Sequence, residues 1–222
     1  MSFYPIMIQL QGQRTLVVGG GKVAERKVEG LMNAGAMVFL VARDLTHRLS
    51  VFAEEGSVSI LDREFKENHL DGMALVIAAT NEAILNHKVS ACARSRGILV
   101  NAVDQPQDCS FIVPSVMNRG DLVIAVSTSG KSPALARRIR EDLEERFGDE
   151  YSLFLRIMGA LRERVLSLGL PQRENAAIFQ EIVDSELLTA IASRDRVSAC
   201  AILKEILPEQ VSFHDLITFS RG

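Results

Sequence analysis

The sequence of residues 15–27 is TLVVGGGKVAERK, and this stretch decides the fold. A short apolar, β-branched run leads directly into three glycines and then into residues with helical spacing, which is typical of a dinucleotide-binding unit. In the pattern Gly19-x-Gly21-x-x-Ala24, the glycines permit a tight turn and close approach to a diphosphate, and the alanine permits close helix–strand packing. Because a helix N-terminus favours anions, we expect the diphosphate to bind there.

The composition bounds the function. The chain has 222 residues, with 25 basic and 28 acidic side chains and a formal net charge of −3, so no general basic field indicates nucleic acid or an anionic membrane as a partner. The three cysteines are widely spaced, without a CxxC pair or a nearby histidine at metal-ligand spacing, which predicts reduced thiols and no resident metal. No signal-peptide pattern and no membrane-length apolar run is present, so we expect a cytoplasmic protein.

Apolar runs alternate with helical segments as far as residue 103, which predicts an α/β fold with a doubly wound parallel sheet. A first helix after the glycines should end at Gly35. Ligands of such folds bind beyond the carboxyl ends of the strands. The glycines, Arg43-Asp44, Thr80-Asn81 and residues 101–104 all follow predicted strand ends. The predicted strands are 5–10, 15–18, 37–42, 58–61, 74–79 and 98–103.

The pattern changes after Pro106. Residues 110–114 and 122–127 flank a turn-forming segment, 118–121, and together they predict a β-hairpin. A helix should follow, with Ser132 as its N-cap and Pro133 as its first residue. Its apolar side chains recur every four residues, at Leu135, Ile139, Leu143 and Phe147. From residue 150 the pattern is helical to the end, with breaks near 169–171 and 208.

Asp104 is the candidate catalytic residue. It follows an apolar strand, at the edge of the sheet where a nicotinamide ring would lie. A carboxylate in that position can take a proton from a substrate while the cofactor takes a hydride. The alternative interpretation is structural, with Asp104 capping its own loop at Gln105-Pro106. The spacing alone leaves both interpretations open.

A second candidate site is basic. A glycine-containing turn and a helix start over residues 128–133 expose backbone donors, and Lys131 adds a positive charge. The following helix carries Arg137, Arg138 and Arg140, and the whole segment suits a substrate with several carboxylates. Alternatively, the apolar stripe of this helix packs on another subunit while its arginines pair with Glu141, Asp142 and Glu144. We expect both interpretations to hold in part.

Four segments together are more specific than the glycine pattern. They are VVGGGKVAERKVEGLMNAGA (17–36), AATNE (78–82), NAVDQPQDCSFIVPS (101–115) and AVSTSGKSPALARRIREDLE (125–144). In this order they resemble the precorrin-2 dehydrogenase/sirohydrochlorin ferrochelatase family, the dehydrogenase part of siroheme synthase. The resemblance implies NAD-dependent oxidation of precorrin-2, an octacarboxylate tetrapyrrole, to sirohydrochlorin. It leaves open whether the same cleft also inserts Fe²⁺ into that product.

The resemblance also implies an architecture and a set of site residues. The architecture is an NAD-binding Rossmann domain over 1–113, a small α+β dimerisation region over 114–148 and a helical C-terminal domain over 149–222. The hairpin and the apolar stripe of the helix predict a homodimer formed through residues 114–148. The catalytic carboxylate falls on Asp104. The predicted cofactor contacts are Gly19, Gly20, Gly21, Lys22, Val23, Arg43, Asp44, Thr80, Asn101 and Val103. The predicted substrate contacts are Ser129, Lys131, Ser132 and Arg137.

The choice of NAD over NADP rests on the resemblance. A ribose-binding acid is expected about 20 residues after the glycines, and Asp44 suits that role. Arg43 could instead meet a 2′-phosphate. Two other functions remain open, a non-catalytic NAD(H)-sensing module that signals through its helical tail and a dehydrogenase for some other small acid. A sensor needs neither a proton acceptor at Asp104 nor a basic segment that suits a polycarboxylate.

Overall fold

The computed structural model describes residues 3–218. The chain divides into two compact units, one ending at Val113 and the other beginning at Pro114. The first unit has a core on each face of its sheet, and the second has a separate core between helices. Within the described range, none of the helices is both long enough and apolar enough to cross a membrane.

The first unit is a five-stranded parallel sheet in the order β3-β2-β1-β4-β5. The strands are β1 (Arg14–Val18), β2 (Met37–Val41), β3 (Val58–Asp62), β4 (Leu75–Ala78) and β5 (Leu99–Ala102). The helices are α1 (Lys22–Asn33), α2 (His47–Glu54) and α3 (Ala83–Ser95), with short 3₁₀ turns at Glu67–Leu70 and Pro106–Asp108. The strand order reverses at β1, where Val18 pairs with both Val41 and Ala78. Such a reversal opens a ligand crevice at the carboxyl edge of the sheet.

Helices cover both faces of this sheet, which explains the continuous apolar runs of the strands. Val17 points into the core shared with α1 and α2, whereas Leu16 and Val18 point into the core shared with α3. The end of α1 is also as expected from the sequence. Gly35 has φ +73° and donates to the Met32 carbonyl at 2.9 Å, while Ala36 donates to the Leu31 carbonyl at 3.0 Å, a Schellman ending.

The second unit begins with an antiparallel hairpin of β6 (Ser115–Arg119) and β7 (Leu122–Val126). It continues with α4 (Pro133–Arg146), α5 (Glu150–Leu166), α6 (Gln172–Asp184), α7 (Leu187–Ala192) and α8 (Arg196–Ile206). Helix α4 packs on the hairpin, and α5 buries one stripe in the helical core, formed by Phe154, Ile157, Leu161 and Val165. The alternation of helices and strands and the parallel sheet confirm the predicted fold class.

Two predicted strands are wrong. Residues 5–10 form no strand, and Tyr4, Ile6 and Met7 are exposed, because no other described strand pairs with this segment. The first strand of the hairpin is 115–119 rather than 110–114. Ser110 instead folds back onto β5, where its N–H donates to the Val100 carbonyl and its Oγ accepts from the Val100 N–H, both at 2.8 Å.

Candidate active site

Three glycines connect β1 to α1, and they have different surroundings. A Cβ atom on Gly19 would overlap the carbonyl of Ala79, and one on Gly20 would overlap the carbonyl of Asp44. Gly19 also has φ +125°, a conformation that side chains strongly disfavour. A Cβ on Gly21 would meet nothing within 4 Å. The first two glycines are therefore fixed between neighbouring strand ends, and the third borders open space where a ligand can approach the backbone.

The start of α1 fits a bound diphosphate. Gly21 is the N-cap, no side chain caps the helix, and the first helical hydrogen bond runs from the Glu25 N–H to the Gly21 carbonyl at 2.9 Å. The N–H groups of Lys22, Val23 and Ala24 consequently have no helical acceptor. These are the donors that a helix N-terminus offers to a phosphate.

A buried carboxylate lies behind this loop. The side chain of Glu25 is 11% exposed and accepts from the ammonium group of Lys22 at 3.1 Å. A hydrogen bond from Thr46, supported by Lys22, holds the pKa of the Glu25 carboxyl below its usual value although burial opposes this. Thr46 also caps α2 and donates its N–H to the Gly20 carbonyl at 3.0 Å. Glu25 and Thr46 thus tie the glycine loop to the loop that carries Asp44.

Arg43, which suits a 2′-phosphate, and Asp44, which suits ribose hydroxyl groups, both follow β2. Arg43 Nη2 lies 3.0 Å from a carboxylate oxygen of Glu64, and its carbonyl accepts from Arg63 at 3.1 Å. Asp44 is exposed, and its carboxylate accepts no hydrogen bond within residues 3–218. The arginine is therefore held by a neighbouring acid, whereas the aspartate remains available to ribose hydroxyl groups.

Thr80 follows β4, beside the glycine loop. Asn86, which is 3% exposed on α3, accepts from the Thr80 N–H at 3.1 Å and from its hydroxyl at 2.7 Å. The Asn86 amide returns a hydrogen bond to the Thr80 carbonyl at 3.0 Å. Sequence reasoning missed Asn86, which fixes the conformation of a predicted cofactor contact.

Asp104 follows β5 at the same edge of the sheet. It has φ +61°, the left-handed conformation, which costs a non-glycine residue about 1 kcal/mol or more. Its side chain is exposed, and among the described residues nothing donates a hydrogen bond to its carboxylate. The turn is closed instead by the Gln105 N–H, which donates to the Ala102 carbonyl at 3.2 Å. Strained residues of this kind cluster at functional sites.

Helix α3 holds the loop after Asp104 with several side chains. Ser90 Oγ donates to the Asp108 carbonyl at 2.5 Å, and His87 Nδ1 lies 2.9 Å from the Asp108 carboxylate. Arg94 donates to the Gln107 carbonyl at 3.2 Å. Sequence reasoning missed these contacts. Polar residues three and seven positions after His87, on one face of a predicted helix, were the pattern that could have indicated them.

Asn101 and Val103 make hydrogen bonds that hold the end of β5 and the following loop in place. The Asn101 amide donates to the Phe111 carbonyl at 3.0 Å, and the Val103 N–H donates to the Ala78 carbonyl at 2.9 Å. Burial raises the pKa of the neighbouring Cys109 thiol, which hydrogen-bonds to the Ala102 backbone. Cys109 therefore resembles a structural thiol rather than a nucleophile.

The four predicted substrate contacts lie in the second unit. Ser129 has φ +54° and Lys131 closes the turn by donating its N–H to the Thr128 carbonyl at 3.0 Å. The Ser132 hydroxyl accepts from the Leu135 N–H at 3.3 Å, so it is the N-cap of α4 as expected. The side chain of Lys131 is exposed.

The arginines of α4 pair with acids on the same helix, as the structural interpretation predicted. Arg137 donates to Glu141 at 2.8 Å and Arg138 donates to Asp142 at 2.9 Å. The side chain of Arg137 is 74% exposed. Because exposed ion pairs contribute little to stability, such an arginine can exchange its partner for a bound carboxylate at small cost.

Metal-ligating side chains are not grouped in this part of the chain. Over residues 3–218, no three histidine, cysteine, aspartate or glutamate side chains are arranged to hold a metal ion.

The parallel sheet, the reversal at β1 and the open helix N-terminus are the features of a Rossmann-type dinucleotide-binding fold. In agreement, residues 6–115 match the family described as "Putative NAD(P)-binding", and residues 119–146 match the family described as "Sirohaem biosynthesis protein central". An NAD(P)-binding segment followed by a sirohaem-biosynthesis segment agrees with the resemblance of this chain to the precorrin-2 dehydrogenase/sirohydrochlorin ferrochelatase family.

Similar proteins support this resemblance. A siroheme synthase of Photorhabdus laumondii is 39% identical over 193 residues, which span 87% of this chain and 41% of that protein. A siroheme synthase of Pseudomonas aeruginosa is 38% identical over 208 residues, spanning 93% of this chain and 44% of that protein. The chain thus spans less than half the length of these curated relatives. The solved structure of SirC, a precorrin-2 dehydrogenase, superimposes with a TM-score of 0.73 at 26% identity, covering 92% of this chain and 98% of SirC.

Proposed function

We propose that this chain catalyses the NAD-dependent oxidation of precorrin-2 to sirohydrochlorin, with Asp104 as the proton acceptor. The observation that carries the proposal is the state of Asp104, whose exposed carboxylate has no described donor and whose backbone is strained, at the sheet edge that carries the glycine loop. The likeness to SirC over almost its whole length supports the choice of substrate.

Different residues of the chain would bind the cofactor and accept the proton. NAD⁺, when bound, supplies the hydride acceptor. The N–H groups of Lys22, Val23 and Ala24 would hold its diphosphate, and Asp44 would accept hydrogen bonds from its ribose. The Asp104 carboxylate would accept the proton that leaves the tetrapyrrole. Hydrogen bonds from α3 to Gln107 and Asp108 hold the loop that follows Asp104 in place.

The basic turn before α4 suits the carboxylates of the tetrapyrrole. Ser129, Lys131 and Arg137 are its proposed contacts, together with the backbone donors near Ser132. Fe²⁺ is a candidate second substrate, because chelation also releases protons and the Asp104 carboxylate is available to accept them.

We also propose a homodimer formed through residues 114–148. Leu135 is 52% exposed and Ile139 is 37% exposed on α4, beside a hairpin of only two strands. A two-stranded sheet and a helix with an exposed apolar stripe gain stability by packing on a second copy. A self-complementary patch gives a symmetric pair, the commonest oligomer.

The test is oxidation of precorrin-2 by purified protein with NAD⁺, followed by absorbance. Asp104→Asn keeps the shape of the side chain and tolerates the left-handed backbone, but removes its basicity. We expect turnover to fall roughly 10²–10⁴-fold with NAD⁺ affinity nearly unchanged. Turnover close to that of the unmodified protein would assign Asp104 to the shape of its loop. An unmodified protein that binds NAD⁺ without oxidising precorrin-2 would favour the sensing module.

A further inference from the structure

The second unit contains an open cavity of about 490 Å³. The turn of the hairpin, the first turns of α5 and the connection between α7 and α8 surround it. Gly120, in the hairpin turn, has φ +58°, and a Cβ there would overlap the side chain of Ser152 on α5. The turn is thus packed closely against α5, which gives the cavity a fixed wall. The guanidinium-bearing residues of its lining are Arg119, Arg156 and Arg194.

Arg119 is anchored through its terminal nitrogens, whereas its Nε atom makes no hydrogen bond within residues 3–218. Its terminal nitrogens donate to the carbonyls of Glu144 at 3.2 Å and Asn118 at 3.0 Å. Its Nε atom is buried and lacks a hydrogen-bond partner, since the nearest carboxylate, that of Asp149, is 3.7 Å away. This Nε atom is closed to solvent, so the exposed guanidinium-bearing side chains of the lining are those of Arg156 and Arg194.

Arg156 and Arg194 are exposed residues of the cavity lining, and they come from different elements, α5 and the connection between α7 and α8. Within residues 3–218, neither guanidinium has a carboxylate or another hydrogen-bond acceptor in reach. Arg194 also adopts φ +57°, a strained conformation for arginine.

The two acids of the lining leave this positive charge largely in place. Asp149 is fully exposed to solvent and lies 3.7 Å from Arg119 Nε. The Glu150 carboxylate turns back to accept from the Gly148 N–H at 3.2 Å. Three arginines therefore line one cavity, and among the described residues no acid pairs with Arg156 or Arg194. Guanidinium groups in this arrangement suit a ligand with several carboxylates, because each fork can bind one carboxylate through two hydrogen bonds.

We propose that this cavity, through Arg156 and Arg194, binds carboxylate side chains of the tetrapyrrole. The proposal rests on the proposed function for the identity of the ligand. It assigns to the helical part of the chain a role in substrate binding that is separate from the basic turn before α4.

The test compares Arg156→Gln, Arg194→Gln and the double variant in the oxidation assay. Glutamine suits the helix at 156, and at 194 it shares the backbone preferences of arginine, so folding is retained. We expect the KM for precorrin-2 to rise roughly 3–10-fold in each single variant and roughly 10–100-fold in the double variant, with kcat and NAD⁺ affinity nearly unchanged. Added NaCl should raise the KM of the unmodified protein more than that of the double variant.

Arg173→Gln is the matched control, since it removes the same charge from an exposed position on α6 outside the cavity. The proposal would be overturned if Arg173→Gln changed the KM as much as the cavity variants do. It would also be overturned if the double variant had an unchanged KM. Equilibrium titration with sirohydrochlorin tests ligand binding in the cavity separately from the proposed oxidation reaction. If the unmodified protein fails to oxidise precorrin-2 but binds sirohydrochlorin more tightly than the double variant, the cavity proposal stands and the proposed reaction is wrong. Equal affinities would overturn the cavity proposal.

Discussion

The Nδ1 atom of His87 lies 2.9 Å from a carboxylate oxygen of Asp108, and this pair joins an imidazole that is 68% exposed to a carboxylate that is 8% exposed. Within the described chain, His87 provides the only side-chain hydrogen bond to the Asp108 carboxylate. The pair connects α3 to the loop that follows Asp104. Its removal should loosen the position of the proposed base without touching the base itself.

His87→Leu should lower the free energy of unfolding by about 1–3 kcal/mol, because it leaves a buried carboxylate without its donor. His87→Asn is the matched variant, since its amide nitrogen can donate from a position close to that of Nδ1. Urea denaturation of the two variants measures the difference. Equal midpoints would mean that water replaces the histidine and that the pair does not hold the loop.

The glycine loop offers a second matched pair. Gly20→Ala should destabilise the fold by about 1–3 kcal/mol, because its Cβ would overlap the Asp44 carbonyl. Gly21→Ala should leave thermal stability within about 1 kcal/mol but weaken NAD⁺ binding by tenfold or more, because its Cβ would project into open space beside the free N–H groups. Calorimetric titration and a melting curve of each variant test this. Unchanged NAD⁺ affinity in Gly21→Ala would show that the diphosphate binds elsewhere.

The pair of Arg43 and Glu64 should influence the choice of dinucleotide. Glu64→Gln removes the charge that Arg43 faces at 3.0 Å, so the arginine becomes available to a 2′-phosphate. An exposed pair contributes about 1 kcal/mol at most, so the ratio of NADP⁺ to NAD⁺ affinity should rise by up to about fivefold. Glu67→Gln, on the 3₁₀ turn beyond, is the control because Glu67 faces Arg96 instead. A ratio that is the same in both variants would contradict this role for Glu64.

The dimer prediction concerns Ile139. Ile139→Asp puts a charge in the middle of the exposed stripe of α4, so the protein should become monomeric at micromolar concentration. Ala134→Asp introduces the same charge near the start of α4, at an exposed position outside the stripe, and should leave the dimer intact. Light scattering measures both variants. A monomeric unmodified protein would refute the dimer.

A bidentate ion pair should make the second unit sensitive to acid. Arg164 donates to the two carboxylate oxygens of Asp215 at 2.9 and 2.6 Å, and this hydrogen bonding lowers the pKa of Asp215 from 3.8 to about 2. Because the folded-state pKa lies below the ordinary one, the pair stabilises the protein above pH 3.8, and this contribution is lost as the pH falls toward 2.

Asp215→Asn should therefore melt at a lower temperature than the unmodified protein at neutral pH, and the difference should vanish as the pH approaches 2. Melting curves across this range measure the effect. A difference that stays constant with pH would assign it to packing rather than to charge.

Local patterns predicted much of the first unit, and contacts between distant segments account for what they missed. The apolar runs that became β1 and β4 are unambiguous because these strands are buried on both faces. The hairpin was shifted because residues 110–114 contain two β-branched residues and residues 115–119 only one. Pro114 and the pairing of Ser110 with Val100 exclude the first segment from the hairpin. The helical spacing of His87, Ser90 and Arg94 could indicate a polar contact of α3, but it does not identify Asp108, which lies 21 positions from His87, as the partner.

The strand order β3-β2-β1-β4-β5 also has a consequence for synthesis of the protein. Every strand pair in the first unit is parallel, so each one forms only after a long crossover has closed. The hairpin and successive helices of the second unit join near neighbours in sequence and should fold faster. We therefore expect the part of the chain that leaves the ribosome first to remain unfinished longest, with the apolar runs of β1 and β4 exposed to aggregation and chaperones in the meantime.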